Sequence, residues 1–466
     1  MFISGKKETR RRREMGFSKD FVWGAATSAY QIEGMTQGEG KGEHIWDIYT
    51  KEPGHILEGH TGDIACDHYH RFREDIKLMK EIGLKAYRFS VDWSRVLPEG
   101  VGAVNEKGIA FYSELIDELL KNEIEPYLTL YHWELPYELY KRGGWMNPEI
   151  VEWFGAYAKL IAERFSDRVR HFFTLNEPQC FVGLGFLRGE HAPGIQAPIR
   201  DTFEMAHQVL KAHGRAVQML RQYAKQPVWI GYAPTGSMCY PETDTPEDIE
   251  AARQMLFSLQ TNKRNWTWNV SWWSDPVLLG HYPEEGLKLY EAYLPKITEE
   301  DRKLIAEPID FYGQNIYNGR CVRMGKEGKP EEVQRYAGFP KTAIDWPVTP
   351  KCLYWGSKFL YERYKKPIYI TENGLSCHDT VSLDGKVHDP NRIDFLARYL
   401  HELKRAADEV DIRGYFQWSL MDNFEWAKGY TERFGLIYVD YRTQQRILKD
   451  SAFWYRDIIQ TNGEGL

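Results

Sequence analysis

Two carboxylates in this sequence each follow an apolar run and stand beside an asparagine. Glu177 comes after "FTL" in the tripeptide "NEP", and Glu372 comes after "IYIT" in the tripeptide "ENG". Paired carboxylates that face a cleft suit the hydrolysis of a glycosidic bond, because one protonates the leaving oxygen while the other attacks the sugar or activates water. The residues leave three alternatives open: an ion pair with Arg88, a metal site that includes His132, and a plain Asn-Gly turn at Glu372.

Eight short runs rich in apolar, β-branched and aromatic residues recur along the chain, and longer amphipathic stretches separate them. These runs are predicted to be strands. Their apolar residues are too continuous for a sheet with one exposed face, which favours parallel strands covered by helices. The predicted strands are 21–27, 86–93, 125–133, 171–178, 228–234, 310–317, 367–374 and 413–423.

Helices are predicted over 67–83, 106–122 and 147–165. In the last of these, Asn147 is the expected N-cap and Pro148 the expected first helical residue. An open doubly wound sheet would show a glycine-rich phosphate turn after its first strand, and no GxGxxG pattern follows there. Eight strand–helix units therefore predict an α/β fold, a single (β/α)8 TIM barrel with long loops after the first, fifth and sixth strands.

The predicted barrel domain covers residues 16–460, since no linker or low-complexity tract divides this region. Residues 1–15 are basic and polar, and they are predicted to be a disordered tail, with Met15 as an alternative start of translation. This tail has no apolar run long enough for a signal peptide or a membrane span.

Polar and aromatic residues stand at the ends of seven of the predicted strands. In a TIM barrel the chemistry occurs where loops leave the C-terminal ends of the strands. Because the fourth and seventh strands face one another across a small barrel, Glu177 and Glu372 are expected to share a pocket there. The polar and aromatic residues expected around that pocket are Gln31, Glu33, Arg88, Asp92, His132, Trp133, Asn176, Asn315, Tyr317, Asn373, Trp418, Glu425 and Trp426.

The composition agrees with a carbohydrate site. The chain has 16 Trp, 29 Tyr and 22 Phe, and aromatic rings pack both in cores and against the apolar faces of sugars. A formal net charge of −7 gives no reason to expect nucleic acid or a membrane surface as a partner. The six cysteines are scattered and form no CxxC pair, which favours free thiols in the cytoplasm over disulfides or structural zinc: Cys66, Cys180, Cys239, Cys321, Cys352 and Cys377.

Taken in order, several motifs resemble the family-one glycoside hydrolases, the β-glucosidase family. The resemblance runs from Phe17 to about Trp454, and the motifs are "FVWGAATSAYQIEG", "YRFSVDWSRVLPEG", "TLYHWELP", "TLNEP", "DPVLLGHYPEE", "DFYGQNIY", "ITENG" and "WSLMDNFEWAKGYTERFGLIYVD". It implies a retaining enzyme that acts on small-molecule β-glycosides without a metal or an organic cofactor. A homo-oligomer is compatible with it.

The resemblance also implies a role for individual residues. Glu177 matches the general acid/base and Glu372 the nucleophile. Arg88 matches the cation near the nucleophile, and Tyr317, with Asn315 beside it, matches the phenol bonded to the nucleophile. These donors are expected to keep Glu372 anionic, so that Glu177 carries the proton. The residues expected to contact substrate are Gln31, His132, Trp133, Asn176, Glu425 and Trp426 around the hydroxyls, Trp418 beneath the ring, and Trp346 at the leaving group.

The expected substrates are cellobiose, cello-oligosaccharides, aryl β-glucosides and some β-galactosides. One alternative is a 6-phospho-β-glucosidase. Lys428 and Tyr430 favour this alternative, whereas the acidic Glu425 would repel a phosphate. Phospho-specific members of the family carry a serine at that position. Two further alternatives share the same residues: a catalytically inactive sugar-binding barrel, and an enzyme that mainly transfers glucose to acceptors.

Overall fold

The computed structural model describes residues 16–466, so the predicted N-terminal tail lies outside the described residues. Eight parallel strands close into a barrel in which neighbours follow one another in chain order and the eighth strand pairs with the first. This confirms the predicted (β/α)8 TIM barrel. The barrel strands are Val22–Ala26, Ala86–Ser90, Glu125–Tyr131, His171–Asn176, Trp229–Ala233, Phe311–Asn315, Ile368–Asn373 and Ile412–Trp418.

One of eight longer helices lies between each barrel strand and the next, and the last of them follows the eighth strand. The predictions for 67–83 and 106–122 agree with these helices to within one residue at either end. No long apolar helix that could cross a bilayer occurs among residues 16–466. The helices are His68–Ile82, Glu106–Lys121, Ile150–Phe165, Ile199–Tyr223, Glu299–Ile305, Lys351–Tyr364, Pro390–Ala407 and Asp450–Gln460.

The predicted start of the third helix is wrong. The helix begins at Ile150 with Glu149 as its N-cap, two residues later than expected. The side chain of Asn147 accepts a hydrogen bond from the Glu149 backbone N–H at 3.0 Å, and its carbonyl accepts one from Ile150 at 3.0 Å. Asn147 therefore closes a turn ahead of the helix, and its own backbone is extended.

The loops after the first, fifth and sixth strands are long, as predicted, and contain their own elements. The loops after the first and fifth strands contain the helices Ala29–Ile32, Ile45–Tyr49, Pro246–Phe257, Val270–Leu278 and Glu284–Leu289. The loops after the second, third and fourth strands contain Trp93–Val96, Tyr137–Lys141 and Pro178–Cys180, with a π-helix at Phe181–Arg188. The 3₁₀ turns are Leu57–Gly59, Gly144–Met146, Lys263–Trp268, Glu291–Tyr293 and Trp426–Lys428. Two small sheets comprise Met238–Pro241, Gly319–Met324 and Pro330–Glu332, and Ile437–Asp440 with Gln445–Leu448.

Aromatic side chains fill the interior of the barrel. Phe173 packs edge-on against Phe311 at 5.2 Å, and Tyr127 packs against Phe416 at 5.0 Å between ring centroids. The Arg88 guanidinium lies 5.0 Å from the centre of the Phe173 ring, above this layer. The aromatic layer thus forms a floor at the C-terminal end of the barrel, on which polar residues stand.

Candidate active site

Glu177 and Glu372 line the same cavity, which has a volume of about 550 Å³. Both are buried, with 7% and 3% of their surfaces exposed. Glu177 follows the last residue of the fourth strand and adopts a left-handed backbone, φ +44°, which is uncommon for a residue with a side chain. Glu372 lies within the seventh strand. The expectation that strands four and seven bring both carboxylates into one pocket is met.

Glu372 is bonded to a cation and a phenol. Arg88 donates from Nη1 to Oε1 of Glu372 at 2.6 Å, and the Tyr317 hydroxyl donates to Oε2 at 2.8 Å. Gly374, two residues after Glu372, lies so close to the end of the eighth strand that a Cβ at this position would be 1.7 Å from the carbonyl oxygen of Trp418. A glycine is therefore required there. The "ENG" sequence is therefore the end of a barrel strand pressed against its neighbour rather than a plain turn.

Two asparagines connect the carboxylates. Arg88 donates from Nη2 to the side-chain oxygen of Asn176 at 2.7 Å, and Asn315 donates to the same oxygen at 3.1 Å. Asn315 also donates to Oε1 of Glu177 at 2.8 Å. Hydrogen bonds thus run without a break from Glu372 through Arg88, Asn176 and Asn315 to Glu177, and this network fixes the relative positions of the two carboxyl groups.

The two carboxyl groups differ in their surroundings. Burial raises the pKa of Glu372 to about 7, and the Glu177 charge adds to the rise, while Arg88 and the Tyr317 hydrogen bond oppose it. Burial also raises the pKa of Glu177, with the polar side chains of Asn315, Cys180 and Thr235 opposing. Among residues 16–466, Glu372 is the carboxylate of the two that accepts a hydrogen bond from a formal cation, and this bond favours the charged form of Glu372.

His132, Trp133, Trp418 and Trp426 form an aromatic corner of the cavity. The His132 ring stacks 5.7 Å from Trp418 and 6.0 Å from Trp426, and the Trp133 indole donates to the Asn176 carbonyl at 3.0 Å. Burial lowers the pKa of His132 well below its usual range, so the imidazole is neutral. Its Nε2 lies 3.1 Å from the Asn176 amide nitrogen, and its Nδ1 is buried without a partner among residues 16–466.

Gln31 and Glu425 meet on another side of this cavity. The Gln31 amide donates to the Asn423 side chain at 3.0 Å, to the Phe424 carbonyl at 2.8 Å and weakly to Glu425 at 3.5 Å. Burial raises the pKa of Glu425 to about 8, and the charges of Glu372 and other carboxylates add to the rise. Glu425 is therefore placed to exchange hydrogen bonds with a neutral polar ligand rather than to pair with a cation.

Trp346 completes the predicted set. Its ring centroid lies 5.0 Å from that of Tyr317, and it lines the cavity from the loop after the sixth strand. Every residue to which the family resemblance assigns a role thus either lines this cavity or is hydrogen-bonded to a residue that does: Gln31, Arg88, His132, Trp133, Asn176, Glu177, Asn315, Tyr317, Trp346, Glu372, Trp418, Glu425 and Trp426.

Three strand-end residues were wrongly expected at the pocket. Asn373 donates to the Ile316 carbonyl at 2.8 Å and accepts from the Tyr415 hydroxyl at 2.8 Å, and it does not line the cavity. Asp92 caps the short helix Trp93–Val96, accepting hydrogen bonds from the backbone of Ser94 and Arg95. Glu33 pairs with Arg95 at 2.9 Å and accepts from the Tyr112 hydroxyl at 2.7 Å. Both carboxylates are buried in a charged network that anchors the first two loops, and neither lines the cavity.

The sequence reasoning also missed several residues that line the cavity. These residues lie in the loops between strands, where no strand end or periodic pattern indicates that a side chain reaches the cavity: Cys180, His191, Ser237, Trp268 and Asn318. All six cysteines are free thiols, as predicted. Within the described part of the chain, no group of three or more His, Cys, Asp or Glu side chains is placed to hold a metal ion.

Comparison with known proteins agrees with this geometry. A 1,4-β-D-glucan glucohydrolase of Thermotoga neapolitana is 44% identical over 449 residues, which cover 96% of this chain and 99% of that protein. An aryl-phospho-β-D-glucosidase of Bacillus subtilis is 39% identical, covering 97% of this chain and 98% of that protein. The solved structure of a β-glucosidase from Thermotoga maritima in complex with glucoimidazole has a TM-score of 0.87 at 44% identity, and covers 96% of this chain and 99% of that one.

The sequence model described as glycosyl hydrolase family 1 matches residues 13–464. This match spans nearly the whole chain, and it includes both carboxylates and every other residue of the site. The family resemblance carried by the sequence motifs is therefore confirmed: the chain belongs to glycosyl hydrolase family 1 and is a glycoside hydrolase.

Proposed function

We propose that the protein is a retaining β-glucosidase that removes terminal, non-reducing β-D-glucosyl residues by a double displacement. The observation that carries this proposal is the unequal bonding of the two carboxylates. Glu372 accepts hydrogen bonds from Arg88 and Tyr317, whereas Glu177 accepts one from the neutral Asn315 amide. In the singly protonated pair, Glu372 is thus the nucleophile and Glu177 the proton donor.

In the first step, a carboxylate oxygen of Glu372 forms a bond to the anomeric carbon of the glucosyl residue. The bond from that carbon to the leaving oxygen breaks, and this oxygen takes the proton of Glu177. The product is an ester between Glu372 and the sugar, and the leaving group departs as an alcohol or as a shorter sugar.

In the second step, water attacks the anomeric carbon and displaces Glu372. Esterification has removed the charge of Glu372, so less electrostatic pressure keeps Glu177 protonated, and Glu177 can accept the proton of the attacking water. Two inversions restore the β configuration of the released glucose. Protons and bonds balance in both steps without a redox partner or a group carrier.

The aromatic corner is assigned to the glucosyl ring. Trp418 is assigned to the apolar face of the ring and the neutral His132 to a hydroxyl, since the two rings stack 5.7 Å apart and Nδ1 of His132 has no partner among residues 16–466. Gln31, Asn176, Glu425 and Trp426, which surround it, are assigned to the other hydroxyls. Gln31 and Glu425 are assigned together to the 4-hydroxyl, which distinguishes glucose from galactose, and some β-galactosides are therefore expected to be hydrolysed as well.

A 6-phospho-β-glucosidase is the second candidate, since one relative carries such a name and Lys428 lines the cavity mouth. Two contacts oppose it. Glu425 lines the same cavity as Lys428, and a phosphate bound there would meet its carboxyl group, which repels an anion once it ionises. The Tyr430 hydroxyl donates to the Thr61 carbonyl at 2.7 Å and is thereby committed within the protein. The unphosphorylated glucoside is therefore the preferred substrate.

An inactive sugar-binding barrel is disfavoured because both carboxylates are present and connected by hydrogen bonds. Transfer to sugars or alcohols uses the same residues and differs only in what attacks the ester at Glu372, so it is expected as a side reaction. The cytoplasmic location and a homo-oligomer stay predictions from the sequence.

Two measurements test the proposed function. The first is kcat/KM for 4-nitrophenyl β-D-glucoside, its β-D-galactoside and its 6-phospho-β-D-glucoside, and we expect the glucoside to rank first. The second is proton NMR of the initial sugar product, which should be the β anomer. An α product would refute the double displacement, and a preference for the phosphorylated substrate would favour the second candidate.

A further inference from the structure

The chain that follows Glu177 is bonded to the loop after the fifth strand through one buried glutamine. Gln179 donates from Nε2 to the Thr235 carbonyl at 3.0 Å, and its Oε1 accepts from the Thr235 backbone N–H at 3.3 Å. Gln179 is fully buried, and the two residues are 56 positions apart in sequence. A glutamine suits this contact because its amide offers a donor and an acceptor side by side, so that both backbone groups of Thr235 are satisfied at once.

Glu177 needs such support because of its own backbone. Its φ of +44° is a left-handed conformation that costs free energy for a residue with a side chain, and it persists only where neighbouring contacts enforce it. The Glu177 N–H donates to the Ala233 carbonyl at 2.8 Å, and the Glu177 carbonyl accepts from the Cys180 N–H at 2.9 Å. The contact between Gln179 and Thr235 comes two residues further along both chains, so it fixes the segment on which the Glu177 carboxyl stands.

Thr235 also contacts the end of the sixth strand. The Asn315 N–H donates to the Pro234 carbonyl at 3.0 Å, and the Thr235 hydroxyl donates weakly to the Asn315 carbonyl at 3.4 Å. Asn315 is the residue whose side-chain amide donates to Oε1 of Glu177 at 2.8 Å. Thr235 is therefore bonded both to the segment that carries Glu177 and to the asparagine that binds the Glu177 carboxyl group.

The Thr235 hydroxyl is also within reach of the Glu177 carboxyl. Thr235 is half-buried and lines the cavity beside Glu177. Burial raises the pKa of Glu177, and hydrogen bonds from the side chains of Asn315, Cys180 and Thr235 oppose the rise. Because a hydroxyl rotates, Thr235 can exchange its weak bond to the Asn315 carbonyl for a bond to an ionised carboxylate. The ionised Glu177 of the second step thereby gains a donor that the protonated Glu177 of the first step does not need.

We propose that Gln179 and Thr235 are positioning residues for Glu177. The Gln179 amide fixes the main chain that carries the carboxyl group, and the Thr235 hydroxyl binds the carboxylate when Glu177 acts as the base. Neither residue has to touch the substrate for this role. The inference rests on the proposed function, and it predicts defects in the steps in which Glu177 gives or takes a proton, whereas a general loss of structure would affect all substrates alike.

The first test is Gln179→Leu, which keeps most of the side-chain volume and removes both bonds to Thr235. The assay is kcat/KM for phenyl β-D-glucoside, whose leaving oxygen needs a proton, and for 2,4-dinitrophenyl β-D-glucoside, whose leaving oxygen does not. The phenyl value should fall about tenfold or more, because a small displacement of the acid has this effect, and the dinitrophenyl value less than about threefold. Gln208→Leu is the matched control and should change neither value, since Gln208 is buried outside the cavity with its amide bonded to Glu204 at 3.2 Å.

The second readout of Gln179→Leu is the step in which Glu177 acts as the base. With 2,4-dinitrophenyl β-D-glucoside, kcat and KM should fall together, because the ester at Glu372 forms normally and water attacks it slowly. Azide needs no base: its nitrogen forms a bond to the anomeric carbon, and Glu372 leaves as a carboxylate. Added azide should therefore raise kcat of the variant and yield β-glucosyl azide.

Thr235→Val tests the hydroxyl and leaves both backbone bonds to Gln179 in place. Loss of this donor should raise the pKa of Glu177, so the basic limb of the kcat/KM profile should move to higher pH by about half a unit to one unit. The shift is smaller than that of a full bond to a charged group, because the hydroxyl gives up its bond to Asn315 to make it. Thr235→Ser keeps the hydroxyl and should restore the wild-type limb. The other titratable or charged groups that face Glu177 are the same in both variants: Arg88, Cys180, Tyr317, Glu372 and Glu425.

Equal losses on the two glucosides in Gln179→Leu would overturn the role of Gln179, and a basic limb that stays in place in Thr235→Val would overturn that of Thr235. If Gln179→Leu shows no thermal unfolding transition, Gln179→Met, with a more adaptable side chain, takes its place in the same assay. The proposed function is judged separately, by the wild-type protein. A wild type that hydrolyses neither glucoside refutes the function, whereas an active wild type with variants that do not discriminate refutes the positioning roles alone.

Discussion

Tyr317→Phe removes one hydroxyl group that touches the proposed nucleophile and leaves the ring in place. That hydroxyl donates to Oε2 of Glu372 at 2.8 Å, and Arg88 keeps its bond to the other oxygen. A hydrogen bond to a charged group contributes about 1.5–3 kcal/mol. At 1.36 kcal/mol per pKa unit, its loss should raise the pKa of Glu372 by about one to two units.

The sign of the effect follows from the state in which Glu372 reacts. Glu372 must be ionised to attack, so kcat/KM falls as the pH decreases through the lower apparent pKa of the carboxyl pair. Raising the pKa of Glu372 therefore moves the acidic limb of the profile to higher pH by the same one to two units. Activity below that limb should fall by about tenfold to a hundredfold, while the basic limb, which reports Glu177, moves less.

The assay is kcat/KM for 4-nitrophenyl β-D-glucoside over the pH range in which the protein stays folded. Tyr354→Phe is the matched control, because the Tyr354 hydroxyl donates to Glu409 at 2.7 Å on the outer surface of the barrel. It removes the same kind of bond and should leave the profile unchanged. An acidic limb that stays in place in Tyr317→Phe, or moves to lower pH, would refute the assignment of the charge to Glu372.

Three further changes test other parts of the account. Glu177→Ala should lower kcat/KM by several orders of magnitude for substrates with poor leaving groups and much less for substrates with good ones. A series of aryl glucosides measures this difference, and equal losses across the series would count against the role of Glu177 as the acid. Glu425→Ser should lower kcat/KM for 4-nitrophenyl β-D-glucoside at least tenfold and raise the relative rate on its 6-phosphate, and an unchanged ratio would contradict the proposed hydroxyl contact. Gly374→Ala should lower the free energy of unfolding by about 1–3 kcal/mol in urea denaturation, because a Cβ would lie 1.7 Å from the Trp418 carbonyl oxygen; wild-type stability would refute the close approach.

The barrel and its pair of carboxylates were predictable because the end of an apolar run gives two pieces of information, the position of the strand and the polar side chains that follow it. An apolar run that stops at Asn176, or at Asn373, shows where the strand ends and which side chains reach the pocket. The same reasoning failed at Asp92, where the strand ends two residues earlier and the carboxylate caps a helix. A polar residue beyond a strand end can close a turn as readily as it can face a ligand, and composition does not distinguish the two.

The cavity residues contributed by long loops were not predictable in the same way. Trp268 lies between helices of a long excursion, and its place at the cavity depends on the contact of Gly183 with Thr267, 84 positions away in sequence. Asn318 lies just beyond the predicted sixth strand, 310–317, and at this strand end the sequence motif pointed to Tyr317 instead. Such contacts depend on tertiary packing of loops, which have no period for a sequence pattern to reveal.

The central claim, that Glu372 is the nucleophile, is tested most directly by Glu372→Gly with and without added azide. The account predicts that the variant has lost hydrolysis of an aryl β-glucoside, that azide restores release of the aryl group, and that NMR identifies the product as α-glucosyl azide, because azide then displaces the leaving group once from the opposite face. Near-normal turnover without azide, or a β-glucosyl azide product, would contradict it.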